Sequence, residues 1–325
     1  MGMCGDSSET PDSQGREPRP RDEDDKGAMA DDLRRKIRKL KRATTGRSDP
    51  RSPGKAAGVP REIVYRRDLP HTPRGGRGQV RPFGPHIELA EAVSGVEVVA
   101  PHGGQAYIVE TLVGELQGCR QALCGSFASA VSDEASPLRR RLCGVYDGPM
   151  LRPEDVIFLD LETTGLGVGP LFLIGTMVWE GGGLVVRQYF ARNYAEERAI
   201  LSLFLDTAAE KSLLVSFNGK SFDFPYTRLR AAVSGIPFEF SPAHLDLLHV
   251  SRRIWGGKLP DCRLQTLERQ VCGRMRDDDI PGHLIPEAYH AYVRTGNARQ
   301  MASCVRHNML DLVTLADLAT RLPPL

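Results

Sequence analysis

The sequence predicts an α/β fold in which a mixed β-sheet is flanked by helices. Val156–Leu159 is a continuous apolar run, as in a central buried strand. Two apolar segments follow, joined by Glu180-Gly181-Gly182-Gly183, which is typical of a hairpin. Segments with helical periodicity then alternate with short apolar runs to residue 325, and this alternation indicates an α/β domain over residues 151–325.

Residues 1–80 have the composition of a disordered tail, rich in Pro, Gly, Ser and charged residues. Leu33, Ile37 and Leu40 fall at i, i+4 and i+7, which predicts a short amphipathic helix near residues 31–43. Acidic residues begin this helix and basic residues follow, as the helix dipole favours. Such a helix can bind phosphate backbones, and a solvated, solubilising tail is the alternative.

Residues 81–150 are predicted to form a small accessory region that is partly β. Val96–Ala100 and Gln105–Val113 have the pattern of strands on either side of a His102-Gly103-Gly104 turn. The sequence does not indicate a role for this region.

The elements predicted after residue 151 follow in chain order. Pro225 suits the first turn of a helix that begins near Phe224. The other predicted elements are strands at Leu171–Trp179, Leu184–Phe190, Leu213–Phe217 and His244–Leu248, and helices at Ala195–Ala209 and Ala298–Arg321.

Charge, cysteine content and hydropathy exclude several classes of protein. The net charge of the 325 residues is only +2, so the chain is not a simple polycation. Its seven cysteines form no C-x-x-C pair and no zinc-finger spacing, which predicts free thiols in a reducing compartment. No apolar run has membrane-spanning length and no signal peptide is evident, so a cytoplasmic protein is expected.

Two acidic residues end the first strand of the main domain. Asp160 and Glu162 are two positions apart, so their side chains share one face of the strand. Two carboxylates about 4 Å apart repel by about 4 kcal/mol at an effective dielectric constant near 20. Bound divalent cations such as Mg²⁺ or Mn²⁺ would neutralise that charge. A solvated strand end with two acids is the alternative interpretation.

A second motif, Ser216–Asp223, connects a buried strand to a helix. Asp223 is expected at the carboxyl end of the sheet, where open α/β folds bind ligands. Gly219-Lys220-Ser221 resembles the end of a P-loop, but position 214 is Leu where that motif needs Gly, so nucleoside-triphosphate binding is rejected. Asn218, Phe222 and Tyr226 are candidate contacts to a terminal nucleotide, and core packing is the alternative for both aromatic residues.

The third motif lies on the final helix. His307 and Asp311 are four residues apart, so they share one helix face. Other acids are assigned structural interpretations: Asp277-Asp278-Asp279 as a solvated loop, Asp246 as a structural residue, and Asp317 as pointing elsewhere.

The order and separation of these motifs resemble the DEDD family of 3′–5′ exonucleases, and in particular its YprB-like, ribonuclease-H-like branch. The resemblance covers about residues 154–321. Further matching segments are His244-Leu245-Asp246-Leu247-Leu248, Arg263-Leu264 with Leu267-Glu268, and Ile280-Pro281-Gly282 with Ile285-Pro286 and Tyr289.

The resemblance implies a nuclease that hydrolyses phosphodiester bonds at a single-stranded DNA or RNA end with two Mg²⁺ or Mn²⁺ ions. It implies that Asp160, Glu162, Asp223 and Asp311 are metal ligands and that Asp160 bridges both ions. Thr163 and Thr164 join the candidate substrate contacts.

The resemblance also implies that His307 orients or deprotonates the attacking water. The chain departs from the family pattern here, because one subgroup has His five residues before the last Asp and the other has Tyr four before. A non-catalytic nucleic-acid-binding or recruitment module on the same fold is the alternative function.

Overall fold

The structure is a computed structural model that describes residues 63–64, 85–116, 120–165 and 169–325. The amphipathic helix expected near residues 31–43, and nearly all of the expected tail, lie outside the described residues. None of the described helices is long and apolar enough to span a membrane. The described cysteines, Cys124, Cys143, Cys262, Cys272 and Cys304, are free thiols, as predicted.

Seven strands form the main sheet in the order β2-β3-β6-β5-β4-β7-β8. The first five strands in this spatial order pair antiparallel, whereas β4, β7 and β8 pair in parallel. This confirms the predicted mixed sheet. The strands are β1 (Ile63–Val64), β2 (Val96–Val99), β3 (Gln105–Leu112), β4 (Val156–Thr163), β5 (Leu171–Glu180), β6 (Gly183–Phe190), β7 (Leu213–Ser216), β8 (Ala243–Asp246) and β9 (Arg274–Met275).

Helices flank the sheet, as the sequence predicts. They are α1 (Leu89–Ala92), α2 (Arg120–Ser132), α3 (Pro137–Leu142), α4 (Glu197–Ala208), α5 (Asp223–Val233), α6 (Leu247–Trp255), α7 (Leu264–Gln270), α8 (Ile285–Thr295) and α9 (Met301–Thr320). Short 3₁₀ turns lie at Val113–Glu115, Pro153–Asp155, Tyr194–Glu196 and Gly282–Leu284. Outside the main sheet, β1 pairs with β9 in parallel.

The strands expected in the accessory region belong to the main sheet. β3 pairs with β6 from Tyr107↔Phe190 to Leu112↔Val185, and β2 extends the sheet by one more strand. Phe127 and Val131 on α2 are buried in the same core as Phe158. β3 and α2 therefore help to form the sheet and the core that support the acidic strand, and the sequence boundary near residue 150 is not a boundary of the sheet.

The predicted strand at His244–Leu248 is wrong in its second half. The strand ends at Asp246, and α6 begins at Leu247. The physical reason is a helix cap: the Asp246 carboxylate accepts a 3.0 Å hydrogen bond from the backbone N–H of Leu248. The apolar run therefore changes from strand to helix without any change in hydropathy.

The last helix lies against the acidic strand. Its residues Val313, Leu312 and Ala316 are buried in the core that also holds Val156 and Phe158 of β4. This packing presents one polar stripe of α9 to the carboxyl end of β4, where the acid pair lies.

Candidate active site

The acid pair lies at the carboxyl end of β4. Asp160 and Glu162 are half-buried on one face of the strand. Leu159 and Leu161, which alternate with them, are buried on the other face. Because β7 runs parallel to β4, its carboxyl end reaches the same edge of the sheet. The turn after β7 therefore delivers Asp223, the first residue of α5, to the acid pair.

A second carboxylate shapes the turn that carries Asp223. Asp246 is buried and accepts hydrogen bonds from the backbone N–H of Asn218 at 2.8 Å and of Lys220 at 3.1 Å. Asn218 has a left-handed backbone, with φ of 65°, and a Cβ on Gly219 would lie 2.2 Å from Ser216 Oγ. The turn is thus tied down by Asp246, which has the structural role that the sequence analysis assigned to it.

Asp311 faces the strand-borne acids from α9. One turn before it, the Asn308 side-chain amide donates hydrogen bonds to Asp160, at 2.8 Å to Oδ2 and 3.1 Å to the backbone carbonyl. The charge of Asp311 acts on both Asp160 and Glu162. The structure therefore brings together the four acidic residues that the sequence singled out.

Burial and repulsion between the acids raise the pKa of Asp160, Glu162 and Asp223. Burial, and then the charges of Asp311, Glu162 and Asp223, raise the pKa of Asp160 well above its usual value. Burial and the charges of Asp311, Asp223 and Asp279 do the same to the pKa of Glu162. Burial raises the pKa of Asp223 to about 7, although a backbone hydrogen bond from Leu161 opposes it.

One cation, Arg276, is directed into this acidic cluster from the loop after β9. Its guanidinium is almost fully buried and forms ion pairs with Asp311 Oδ1 at 2.5 Å, Glu268 Oε2 at 2.6 Å and Asp279 Oδ2 at 3.1 Å. Arg276 therefore neutralises Asp311 while its own position is determined by two further acids.

His307 is held by a carboxylate on one side and faces Asp311 on the other. Its Nδ1 lies 2.9 Å from Asp279 Oδ2, and its Nε2 lies 3.6 Å from Asp311 Oδ2. Burial lowers the pKa of His307, but its hydrogen bond to Asp279 and the charges of Asp311 and Asp279 raise it more, so the pKa is raised overall. His307 is thus an oriented, partly buried imidazole beside the four acids.

The acidic cluster has the chemistry of a divalent-metal site. Carboxylate oxygens are the ligands that Mg²⁺ and Mn²⁺ prefer, and Asp160, Glu162 and Asp223 have no cation bonded to them among the described residues. In the described part of the chain, however, no three His, Cys, Asp or Glu side chains are close enough together to enclose a metal ion. Arg276, bound to Asp311 Oδ1, provides positive charge at that oxygen.

The candidate substrate contacts fall into two groups. Thr164 and Phe222 are half-buried, and the Thr164 carbonyl is hydrogen-bonded to His290 Nε2 at 2.9 Å. Thr163 is buried, and its hydroxyl donates to the Gly165 carbonyl at 3.1 Å. Tyr226 is a correction: it has no exposed surface, and its hydroxyl donates to the carbonyl of Gly169 at 2.5 Å. Packing against Phe222, with ring centroids 5.2 Å apart, is the role the structure gives Tyr226.

Three residues that the sequence analysis did not single out complete the cluster: Arg276, Asp279 and Asn308. The solvated-loop interpretation holds for the exposed Asp277 and Asp278 but is wrong for Asp279, which is bonded to Arg276 and His307. Only Asn308 carried a usable signal, because it is polar and lies three residues before Asp311 on the helix face of the acid.

Comparison with known proteins places the chain in a family. A model of the RNase H superfamily, RNase_H_2, matches residues 157–323, just over half of the chain. The uncharacterized protein YprB of Bacillus subtilis (strain 168) is 33% identical over 172 residues, which are 50% of this chain and 41% of YprB.

Among solved structures, the family B DNA polymerase from the hyperthermophilic archaeon Pyrobaculum calidifontis matches with a TM-score of 0.43 and 18% identity. That match covers 53% of this chain and 25% of the polymerase. The superfamily match spans the acid pair on β4, Asp223 on α5 and Asp311 on α9. The chain therefore belongs to the RNase H superfamily.

Proposed function

We propose that this chain is a metal-dependent 3′–5′ exonuclease that hydrolyses phosphodiester bonds at a single-stranded nucleic-acid end. The observation that carries the proposal is that Asp160, Glu162, Asp223 and Asp311 meet at one edge of the sheet. There the charge of Asp311 raises the pKa of the other three acids. Acids that repel one another in a partly buried site destabilise the fold until a cation neutralises them, so such a cluster is a candidate functional site. Membership of the RNase H superfamily supports a nuclease fold.

The donor set suits two Mg²⁺ or Mn²⁺ ions held by Asp160, Glu162, Asp223 and Asp311. When bound, such ions supply the positive charge that activates water and stabilises the departing 3′-oxygen. The protein's own contribution is to hold the carboxylates at the correct edge of the sheet. Asp246, Leu161 and Asn308 do so through hydrogen bonds to the Asp223 turn, to Asp223 and to Asp160.

His307 is the group that accepts or holds a proton in this proposal. Its Nδ1 is hydrogen-bonded to Asp279, so Nε2, which faces Asp311, is the nitrogen left to accept a proton in the reaction. Asp279 orients the ring and stabilises its protonated form, which is the arrangement a proton acceptor needs. The position of His307 four residues before Asp311 is therefore compatible with a catalytic role, because a loop carboxylate holds its ring.

A non-catalytic nucleic-acid-binding module is the second candidate, and one observation favours it. Arg276 already neutralises Asp311, so positive charge is present beside that acid without any metal ion. Asp311 therefore does not need a metal ion for its neutralisation, as expected of a module that binds nucleic acid through other residues and does not cut it. The first candidate requires divalent ions to cleave nucleic acid, whereas the second binds nucleic acid without them and does not cleave it.

The test uses the full chain with 5′-labelled single-stranded DNA and RNA of matched sequence, first with Mn²⁺ and then with EDTA. We expect a ladder of products shortened from the 3′ end, which disappears with EDTA and in Asp160→Asn. Asp206→Asn removes an exposed acid of α4 and serves as the matched control. A circular single-stranded substrate separates end-dependent from internal cleavage.

Metal-independent binding without products would support the second candidate and reject the nuclease. Cleavage of the circular substrate would reject the exonuclease form of the proposal. The relative rates on the DNA and RNA oligonucleotides identify the preferred sugar, because only RNA presents a 2′-hydroxyl to the site.

A further inference from the structure

Three residues on three neighbouring strands form a row that leads to Asp160. In the register of the sheet, Asp160 of β4 lies opposite Gly175 of β5, and Gly175 lies opposite Gln188 of β6. Gln188 is completely buried, on a strand whose other buried residues are mostly apolar. A buried glutamine in such a strand requires polar partners.

Those partners come from the last helix. The side-chain amide of Gln188 donates 2.8 Å hydrogen bonds to the Val305 backbone carbonyl and to Asn308 Oδ1. Asn308, also completely buried, then donates from Nδ2 to Asp160 Oδ2 at 2.8 Å. The result is a relay of two amides from the middle of the sheet to an acid of the candidate active site.

Gly175 provides the space for this relay. A Cβ at this position would lie 2.0 Å from Asn308 Oδ1 and 2.6 Å from its Cγ, far inside van der Waals contact. Any other residue at 175 would therefore push the Asn308 amide away from the row. Because Gly175 of β5 has no side chain, the Asn308 amide of α9 can bridge Asp160 of β4 and Gln188 of β6.

The direction of the relay follows from its far end. A backbone carbonyl can only accept, so the Gln188 amide must direct its NH₂ group toward Val305. The same NH₂ group requires an acceptor on Asn308, which leaves the Asn308 NH₂ group facing Asp160. Asp160 Oδ2 must then be an acceptor, so the relay favours a carboxylate with that oxygen unprotonated.

The relay is not explained by stability alone. The remaining amide oxygen of Gln188, Oε1, is buried and has no hydrogen-bond partner among the described residues. Burying such an atom without a partner costs about 1–3 kcal/mol, so an apolar side chain would suit the strand better. A positioning role for the relay accounts for the glutamine.

We propose that Gln188 and Asn308 are positioning residues, for which Gly175 leaves space. They hold one oxygen of the Asp160 carboxylate and leave the other oxygen for a divalent ion. This inference rests on the proposed metal-dependent function and adds the residues that orient its first ligand. Supporting groups behind metal ligands typically change metal affinity by about 10–100-fold when removed.

The experiment measures Mn²⁺ affinity of the full chain directly, by calorimetry and by the electron paramagnetic resonance signal of free Mn²⁺, without relying on activity. Asn308→Leu, Gln188→Met and Gly175→Ala each break the relay from a different element. We expect each to weaken Mn²⁺ binding at least tenfold. Gly175→Ala is the most informative variant, because it removes no polar group and acts only by displacing Asn308.

The matched control is Thr176→Val on the same strand. Thr176 is completely buried and donates a 3.0 Å hydrogen bond to the Arg187 carbonyl, so its replacement also removes one buried hydrogen bond. Thermal unfolding in EDTA identifies variants that fail to fold, and Gln188→Met is expected to remain folded because it replaces a poorly paired amide by an apolar chain of similar length.

Unchanged Mn²⁺ affinity in folded Asn308→Leu and Gln188→Met would overturn the positioning role and leave the nuclease proposal intact. An equal loss in Thr176→Val would also overturn it, because the effect would then be general destabilisation. The converse pattern, relay variants that weaken Mn²⁺ binding in a protein without nuclease activity, would support the positioning role and reject the nuclease.

Discussion

Two groups of charged residues in this molecule differ in whether the carboxylate has a bonded counter-ion. At the start of α4, Glu197 forms ion pairs with Arg230 at 2.6 and 2.5 Å and accepts a 2.7 Å hydrogen bond from the backbone N–H of Leu171. At the end of β4, Asp160 is surrounded by other acids and is hydrogen-bonded to a neutral amide. The Glu197 carboxylate is buried with its counter-ion, and the half-buried Asp160 carboxylate lies beside groups that repel it.

Under the proposed function, this difference distinguishes a structural acid from a metal ligand. A paired, hydrogen-bonded carboxylate gains little from a metal ion, because its charge is already neutralised. An acid whose pKa is raised by its neighbours lowers the stability of the folded protein until a cation arrives. Asp311 lies between these extremes, because Arg276 is bound to one of its oxygens while the charges of the other acids remain close.

The largest expected effect is on activity, from Asp160→Asn. We expect nuclease activity to fall on the order of 1,000-fold, about 4 kcal/mol of transition-state stabilisation, because an amide cannot replace a charged ligand. In EDTA at pH 7.5 the variant should be more stable than wild type, because one repelling charge is gone. Product formation and urea unfolding measure the two effects, and a variant that is both inactive and less stable would contradict the comparison.

The structural pair should behave in the opposite way. Arg230→Met leaves Glu197 buried and without its guanidinium, which should destabilise the protein by about 3–5 kcal/mol. The double variant Glu197→Gln/Arg230→Met keeps an acceptor for Leu171 and should recover most of that loss. Urea unfolding of the three proteins in EDTA measures both values, and a loss below about 1 kcal/mol in Arg230→Met would show that this pair is not a structural one.

Divalent ions should stabilise the acidic cluster and have no effect through the paired one. At a Mn²⁺ concentration 100 times its dissociation constant, we expect about 2.7 kcal/mol of added stability in wild type. The same ions should stabilise Asp160→Asn much less and Arg230→Met as much as wild type. Thermal unfolding with and without Mn²⁺ tests this, and equal stabilisation of Asp160→Asn would place the ions elsewhere.

The smallest effect concerns His244, which is half-buried beside the turn that carries Asp223, with its Nε2 2.7 Å from Ser216 Oγ. Burial lowers the pKa of His244 to about 4, so between pH 4 and 6.5 the unfolded chain binds a proton that the folded protein rejects. The stability that His244 contributes is therefore present above pH 6.5 and is lost as the pH falls toward 4. Asp223, whose pKa is raised to about 7, acts in the opposite direction over the same range. We therefore expect wild type to lose about 2 kcal/mol relative to His244→Gln between pH 7 and 5. Urea unfolding at both values measures it.

Much of the fold was predictable because local patterns already specify it. The apolar run at Val156–Leu159, the hairpin around Gly181 and the helical period of the last segment each correspond to an observed element. The four acids were predictable for a related reason, since charged residues at the ends of buried strands and on an apolar helix are exceptions that need an explanation.

The sequence by itself determined the kind of most elements after Val156 and the presence of acids at or near their ends. Only the tertiary structure decided which residues contact these acids. Arg276 and Asp279 come from a loop whose sequence is typical of exposed loops. Gln188 contacts Asn308 because Gly175 has no side chain to occupy the space between them. Secondary structure depends on neighbours a few positions apart, whereas these contacts join residues 28 to 148 positions apart, across strands and a helix. Which polar groups meet is therefore determined by strand register and helix packing, which no local pattern in the chain records.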